Sequence, residues 1–339
     1  MTIFSEGEGT GISDILISAW LVACCLISTC LNPLVFLYNY RRPNTVQRIV
    51  YRTLSSLDFY MCLIVPVVVV HNALAPVDCH GSSPQERGNS TILWCSRNAT
   101  TLDKVISATT WPCVYLPPIF TAVLTSARLY HIKFPLKDPR HKEILAPLFV
   151  LSAIQICFSN LPLLDTSSRL LYGKAIKRVR LWAPLQAAQN SDVFHLDGNN
   201  PRPQLLSAYS VFLLPSLAQL VGLVATQLTI CQVRGGRSGD AAAVQAAAQA
   251  QRNSSRITKK ILMTNIGSMV RTVTYLLYMG FMFRVMSRGV EVYLIDMSWA
   301  AWINIFTSTL TPCLISAVNP LIFISMTPNY LQTLGRGMI

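Results

Sequence analysis

Residues 125–136 read TSARLYHIKFPL and close a long apolar run that begins near Val105. At about 1.5 Å per helical residue, the stretch from Val105 to Arg128 rises about 36 Å, enough to cross a hydrocarbon core of about 30 Å. A guanidinium at Arg128 then falls at a water boundary. There its stem can snorkel, and its cost stays below the roughly 3 kcal/mol of a charge at mid-membrane. Placed this way, Arg128 makes the preceding run a membrane-spanning helix, and Lys133, Lys137, Arg140 and Lys142 a basic loop beyond it.

The rest of the chain repeats the pattern. Of 339 residues, 52% are hydrophobic and 13% charged, and the mean hydropathy is +0.42. Soluble domains carry roughly 25% charged residues, so the composition points to a membrane protein. A net charge of +13 would suggest a nucleic-acid partner in a soluble chain. Here most basic residues cluster between apolar runs, where the positive-inside rule explains them without nucleic acid.

Windows of about 20 apolar residues predict spans near 13–39, 48–74, 102–128, 144–164, 205–233, 257–284 and 292–325. The expected fold is an all-α membrane protein, a seven-transmembrane helix bundle over 13–327. Residues 1–12 form a short outer segment, and 328–339 a short amphipathic helix and tail. The acidic N-terminus lacks the basic start of a signal peptide, so the first span is expected to be retained. Arg41, Arg42, Arg48 and Arg52, the cluster after span three, and Arg234, Arg237, Arg252, Arg256, Lys259 and Lys260 share one face, assigned to the cytoplasm. The N-terminus is then extracellular, and Asn89 and Asn98, in the sequons NST and NAT, become glycosylation candidates on the lumenal side. The sequon at Asn253 and the basic outer stretch Lys174, Lys177, Arg178 and Arg180 run against this orientation.

Asn32, Asp58 and Asn319 lie deep in apolar runs, where ionisable residues are functional hypotheses by default. Asn32 and Asn319 each precede a proline. The missing N–H frees a carbonyl one turn earlier, which an asparagine side chain can satisfy or bridge to a neighbouring helix. The sixth span is the least apolar, with Thr264, Asn265, Ser268, Arg271 and Thr272, and is expected to turn one side to protein or a cavity. Eight of ten cysteines fall in apolar runs and read as small buried hydrophobes. Without Cys-x-x-Cys spacing no metal site is expected, and no cofactor. Neither paired intramembrane charges nor an inverted repeat is found, which disfavours a transporter. No His-Glu-x-x-His or nucleophile–base pair supports an enzyme.

Taken together, these residues resemble the rhodopsin-like G protein-coupled receptors. Asn32 with Val35 is similar to the first-helix signature, and LSSLD, ending at Asp58, to the Leu-x-x-x-Asp of the second. SARLYHIKFPL is similar to the Asp-Arg-Tyr end of the third helix, and Pro215 matches the fifth-helix proline. NPLIF, from Asn319 to Phe323, is similar to the Asn-Pro-x-x-Tyr of the seventh, and TPNYLQTL to the amphipathic helix after it, with Tyr330, Leu331 and Leu334 on its apolar side. The matches keep their order and spacing over nearly the whole chain. The resemblance implies that Arg128, Asn319, Pro320 and Phe323 serve G protein coupling and switching. It also implies that Asn32, Asp58, Ser316 and Asn319 form an intramembrane polar network.

Departures from the pattern narrow the expectation. Ala127 and Leu129 replace the acid and tyrosine flanking Arg128, Phe323 replaces the seventh-helix tyrosine, and the Cys-Trp-x-Pro of helix six and the tryptophan of helix four are absent. Pro117 stands where a serine often lines a sodium site with Asp58, so that site is not carried over. Tandem Pro117 and Pro118 are expected to kink helix three. Thr110 stands where amine receptors hold an aspartate and Cys313 where light receptors hold the retinal lysine, which disfavours a monoamine or retinal. Long, polar outer loops favour a peptide. The family disulfide from helix three has no partner here, because its position is Asp103 and 165–204 lack cysteine. Cys79 and Cys95 are the expected disulfide instead, within the first outer loop, on the order of 3 kcal/mol by chain entropy. The implied partners are an extracellular ligand, a heterotrimeric G protein and the lipid membrane, with a multi-pass location in the plasma membrane. The alternatives are a seven-helix receptor that has lost signalling, as a decoy or scaffold, and after it a transporter.

Overall fold

The computed structural model describes residues 12–42, 45–74, 78–80, 94–98, 101–133, 169–173, 255–274 and 310–327, with shorter pieces within 145–153 and 217–227, at 276–277, and at 306 and 330. Three long helices open the chain: α1 (Ile12–Tyr40), α2 (Val46–Leu74) and α3 (Thr101–Lys133). Helix α4 covers 255–274, and α5 (Thr311–Ser325) ends the described bundle. Scattered helical residues within 145–153 and 217–227 lie inside the fourth and fifth expected spans. The outer segment before residue 12, Pro215, the basic stretch 174–180, and most of 328–339 lie outside the described residues.

Local chemistry sets the helix ends. Pro43 follows Arg42 and disfavours helical backbone before it, and α2 starts where Thr45 Oγ1 accepts the Arg48 N–H at 3.3 Å as an N-cap. Pro312 lies in the first turn of α5, where a missing N–H costs little. Helix α3 runs five residues past Arg128, so the arginine is placed inside a helix rather than at its end. Its assignment as helix is unbroken through Pro112, Pro117 and Pro118.

Helix α1 packs against α2 and α5, and α2 against α3 and α5. Among the described residues one helix, Leu16–Tyr40, is long and apolar enough to cross a membrane, with a mean hydropathy of 2.0; Leu116–Ala127 and Thr311–Ser325 are shorter apolar helices. An apolar core that includes Val50, Met61, Phe120 and Leu124 encloses several polar side chains, while large apolar residues also face outward. Ser28, Asn32, Asp58, Thr125, Asn265 and Arg271 are buried, whereas Trp20, Leu26, Val67, Val105, Val221 and Leu277 are exposed. Gly222 serves close packing, since a Cβ there would stand 3.0 Å from the Thr125 methyl.

Three short strands add to the helical architecture a feature the sequence did not suggest. The strands β1 (Asp78–His80), β2 (Trp94–Asn98) and β3 (Arg169–Gly173) form one antiparallel sheet in the order β1-β2-β3. Cys79 pairs directly with Cys95 in the register of β1 and β2. The same sheet joins the first and second expected outer loops through β2 and β3, without a cysteine in the second.

Candidate functional site

The site is centred on Asp58, which α2 buries to 1% exposure. Ser316 Oγ donates to its Oδ1 at 2.8 Å, and Asn319 Nδ2 donates to its Oδ2 at 2.8 Å. Arg271 of α4, also 1% exposed, brings Nη2 to 3.2 Å from Oδ1 as a buried ion pair. From α1, Ser28 Oγ donates to the Asp58 carbonyl at 3.2 Å. Asn32 Nδ2 lies 2.7 Å from Ser28 Oγ and 3.1 Å from the Ser316 carbonyl. All four residues expected in the polar network therefore meet, and Ser28 and Arg271 join them.

Two prolines explain much of this wiring. Pro320 has no N–H to give the Ser316 carbonyl one turn back, and Asn32 supplies the missing donor across the helix interface. Pro117 likewise deprives the Cys113 carbonyl, and Arg271 Nη1 donates to it at 2.9 Å. Nη2 of the same guanidinium also reaches the Pro312 carbonyl at 3.3 Å and Ser316 Oγ at 3.2 Å. One arginine thus ties α4 to α2, α3 and α5. The fork of donors that makes arginine suited to buried pairs is what permits this.

The expectation of no paired intramembrane charges is therefore overturned by Asp58 and Arg271. The pair was missed because its members stand 213 residues apart and were read as separate polar positions. Below the pair, Thr121 Oγ1 donates to Ser268 Oγ at 3.3 Å, and Asn265 Nδ2 donates to Thr125 Oγ1. The polar stripe of the sixth span thus faces protein, as expected. A cavity of about 10 Å³ borders Asn32, Asp58, Thr264 and Asn319. That is room for about one water molecule.

Phe323 and Tyr330 build a second cluster toward the other end of α5. Phe323 packs edge-on to Tyr51 and Tyr38, with ring centroids 5.0 and 5.7 Å away. Tyr330 stacks on Tyr38 at 4.9 Å, and burial pushes its phenol up to about 12. Lys260 of α4 sits over this group, with Nζ 3.0 Å from the Phe323 ring centre and 4.9 Å from that of Tyr51. Its side-chain nitrogen donates to Thr327 Oγ1 at 2.9 Å. Sequence reasoning placed Lys260 in a basic cluster and did not foresee this cage.

Arg128 lies on α3, one residue beyond the buried Ala127, and its side chain falls outside the described residues. Asn98 ends β2, opposite Arg169, and Asn89 is outside the described residues. Cys25, Cys62 and Cys313, expected to be scattered hydrophobes, instead converge from α1, α2 and α5, with their sulfurs within 4.8 Å of one another. No protein-family model matches the chain, and no curated protein matches it.

Proposed function

We propose that the chain is a seven-helix receptor of the rhodopsin-like class, set in the plasma membrane with its N-terminus outside. It binds an extracellular ligand, a peptide by preference, and activates a heterotrimeric G protein. The observation that carries this reading is one buried hydrogen-bonded network, in which Ser316 and Asn319 donate to the Asp58 carboxylate and Asn32 donates to the Ser316 carbonyl. Three motifs separated along the chain supply them, at the positions the resemblance singled out. The large apolar side chains on the outer surface, with polar groups hydrogen-bonded to one another inside, support a lipid setting.

A second reading, a seven-helix protein that no longer signals, is favoured by the clamps on α4. Arg271 binds it to Ser316 of α5, and Lys260 to Phe323 of α5 and to Thr327 just beyond it, and several switch residues of the resemblance are replaced. A transporter gains the ion pair, but each Asp58 oxygen already accepts from a protein donor, and the adjoining cavity holds about one water.

Arg128 decides between the first two readings. Arg128→Ala is expected to reach the cell surface at the parent's level and to reduce ligand-independent G protein activation to background. The measurement compares surface labelling with activation at matched expression. An Arg128→Ala variant as active as the parent would leave the arginine a topological anchor and sink the receptor mechanism. A parent that activates no G protein, alone or across a ligand screen, supports the second reading.

A further inference from the structure

We propose that Cys25, Cys62 and Cys313 form a buried site for one thiophilic d10 cation of the copper(I) class. The cluster goes beyond the receptor reading and does not depend on it. Each thiol comes from a different helix, α1, α2 and α5, and each is buried. All three sulfurs lie within 4.8 Å of one another. Points so placed lie no farther than 2.8 Å from a common centre (4.8 Å divided by √3). A metal–thiolate bond of about 2.3 Å then asks each sulfur to move inward by about 0.5 Å, which a small χ1 adjustment supplies.

The donor set selects the ion. Three sulfurs suit a soft cation. Structural zinc almost always takes four ligands in a tetrahedron, and among the described residues no histidine or carboxylate joins the three thiols. Asp58 is not free to join, being held by Arg271, Ser316 and Asn319. On binding, three copper–sulfur bonds form as the bonds from copper to the chelator break, and the three thiols release their protons to solvent, so binding tightens as pH rises.

The polar knot holds the ligands in place. Cys25 precedes Ser28 by three residues, Cys313 precedes Ser316 by three, and Cys62 follows Asp58 by four. Because α2 runs antiparallel to α1 and α5 in the expected topology, all three offsets point the same way. The thiols therefore occupy the helical turn next to the hydrogen-bonded layer of Ser28, Asp58 and Ser316. A bound ion would fasten the same three helices at a second level.

The test uses the full chain in detergent, anaerobic and reduced, titrated with copper(I) held by a chromophoric copper(I) chelator. The parent is expected to take one equivalent. Cys25→Ser, Cys62→Ser and Cys313→Ser should each weaken binding at least about tenfold, the range lost even when an indirect partner of a ligand is removed. Cys24→Ser, Cys30→Ser and the double variant Cys79→Ser/Cys95→Ser should bind as the parent does. X-ray absorption on the loaded parent guards against a variant that fails to fold, and should show a first shell of three sulfurs. Binding that survives in the three cluster variants, or is lost in the Cys79/Cys95 variant, overturns the site. So does a first shell containing nitrogen or oxygen, or a parent that leaves all copper with the chelator.

Discussion

A single guanidinium answers for a carboxylate on α2, a proline-orphaned carbonyl on α3 and a hydroxyl on α5. Removing one member of such a buried pair leaves the other charged and alone, at a cost of about 3–5 kcal/mol, whereas removing both can be nearly neutral. Arg271→Met and Asp58→Asn are each expected to lower the melting temperature in detergent sharply. The double variant should lie closer to the parent than the sum of the two losses. Because Arg271 already compensates Asp58, the parent should melt alike in sodium and choline salts. Arg271→Met, with its carboxylate exposed to the cavity, should be stabilised by sodium. Additive losses in the double variant would show that the two side chains are not coupled. At this scale Asn32, Asp58 and Asn319 were legible because each stands in a local motif, and Ser316 only through the family resemblance. Arg271 was visible as a polar residue in an apolar run, but its partner was not. Pairing across 213 residues has no local signal.

Elements with long apolar runs were legible. The expected spans at 13–39, 48–74 and 102–128 differ from α1, α2 and α3 by at most five residues at any end, since twenty or so apolar residues leave few alternatives. The sheet was not legible. Strands of three to five residues in polar loops lack the alternation that marks a half-buried strand. Its register nevertheless sharpens one expectation. Directly opposed residues of an antiparallel pair have Cα atoms about 4.5–5.5 Å apart, inside the range a disulfide spans. Cys79 and Cys95 are so opposed, and non-reducing peptide mapping of protein made in eukaryotic cells is expected to recover them as one linked peptide. Closing the loop between them contributes about 3 kcal/mol in the chain-entropy model, so reduction should lower thermal stability measurably. Recovery of both as free thiols removes this bridge. The thiol cluster in the bundle escaped sequence reasoning for a related reason. Its members sit on three helices and no spacing rule connects them.

For the molecule as a whole, α4 is the piece whose attachment sets what can move. Arg271 holds it at the polar knot, and Lys260 holds it near the end of α5, between Phe323, Tyr51 and Thr327. Lys260→Met keeps most of the apolar stem and deletes the nitrogen that reaches Thr327 and the Phe323 ring. Spin labels at Arg256 and Ser325 should report one narrow distance in the parent and a broadened distribution in Lys260→Met, with higher ligand-independent signalling on the proposed reading. A distribution unchanged by the substitution would show that Lys260 is no clamp. The ion pair also has a consequence for how the protein is made. Asp58 emerges from the ribosome 213 residues ahead of Arg271. At roughly 5–20 residues per second, α2 waits about 10–40 s for its counter-ion. On the proposed membrane reading, the lone carboxylate is sheltered in that interval by the insertion machinery or by water, and the second helix settles in lipid only after the sixth span arrives. On that reading assembly is ordered from the far end of the chain, and a ribosome that stalls before Arg271 leaves behind a helix poorly suited to a bilayer.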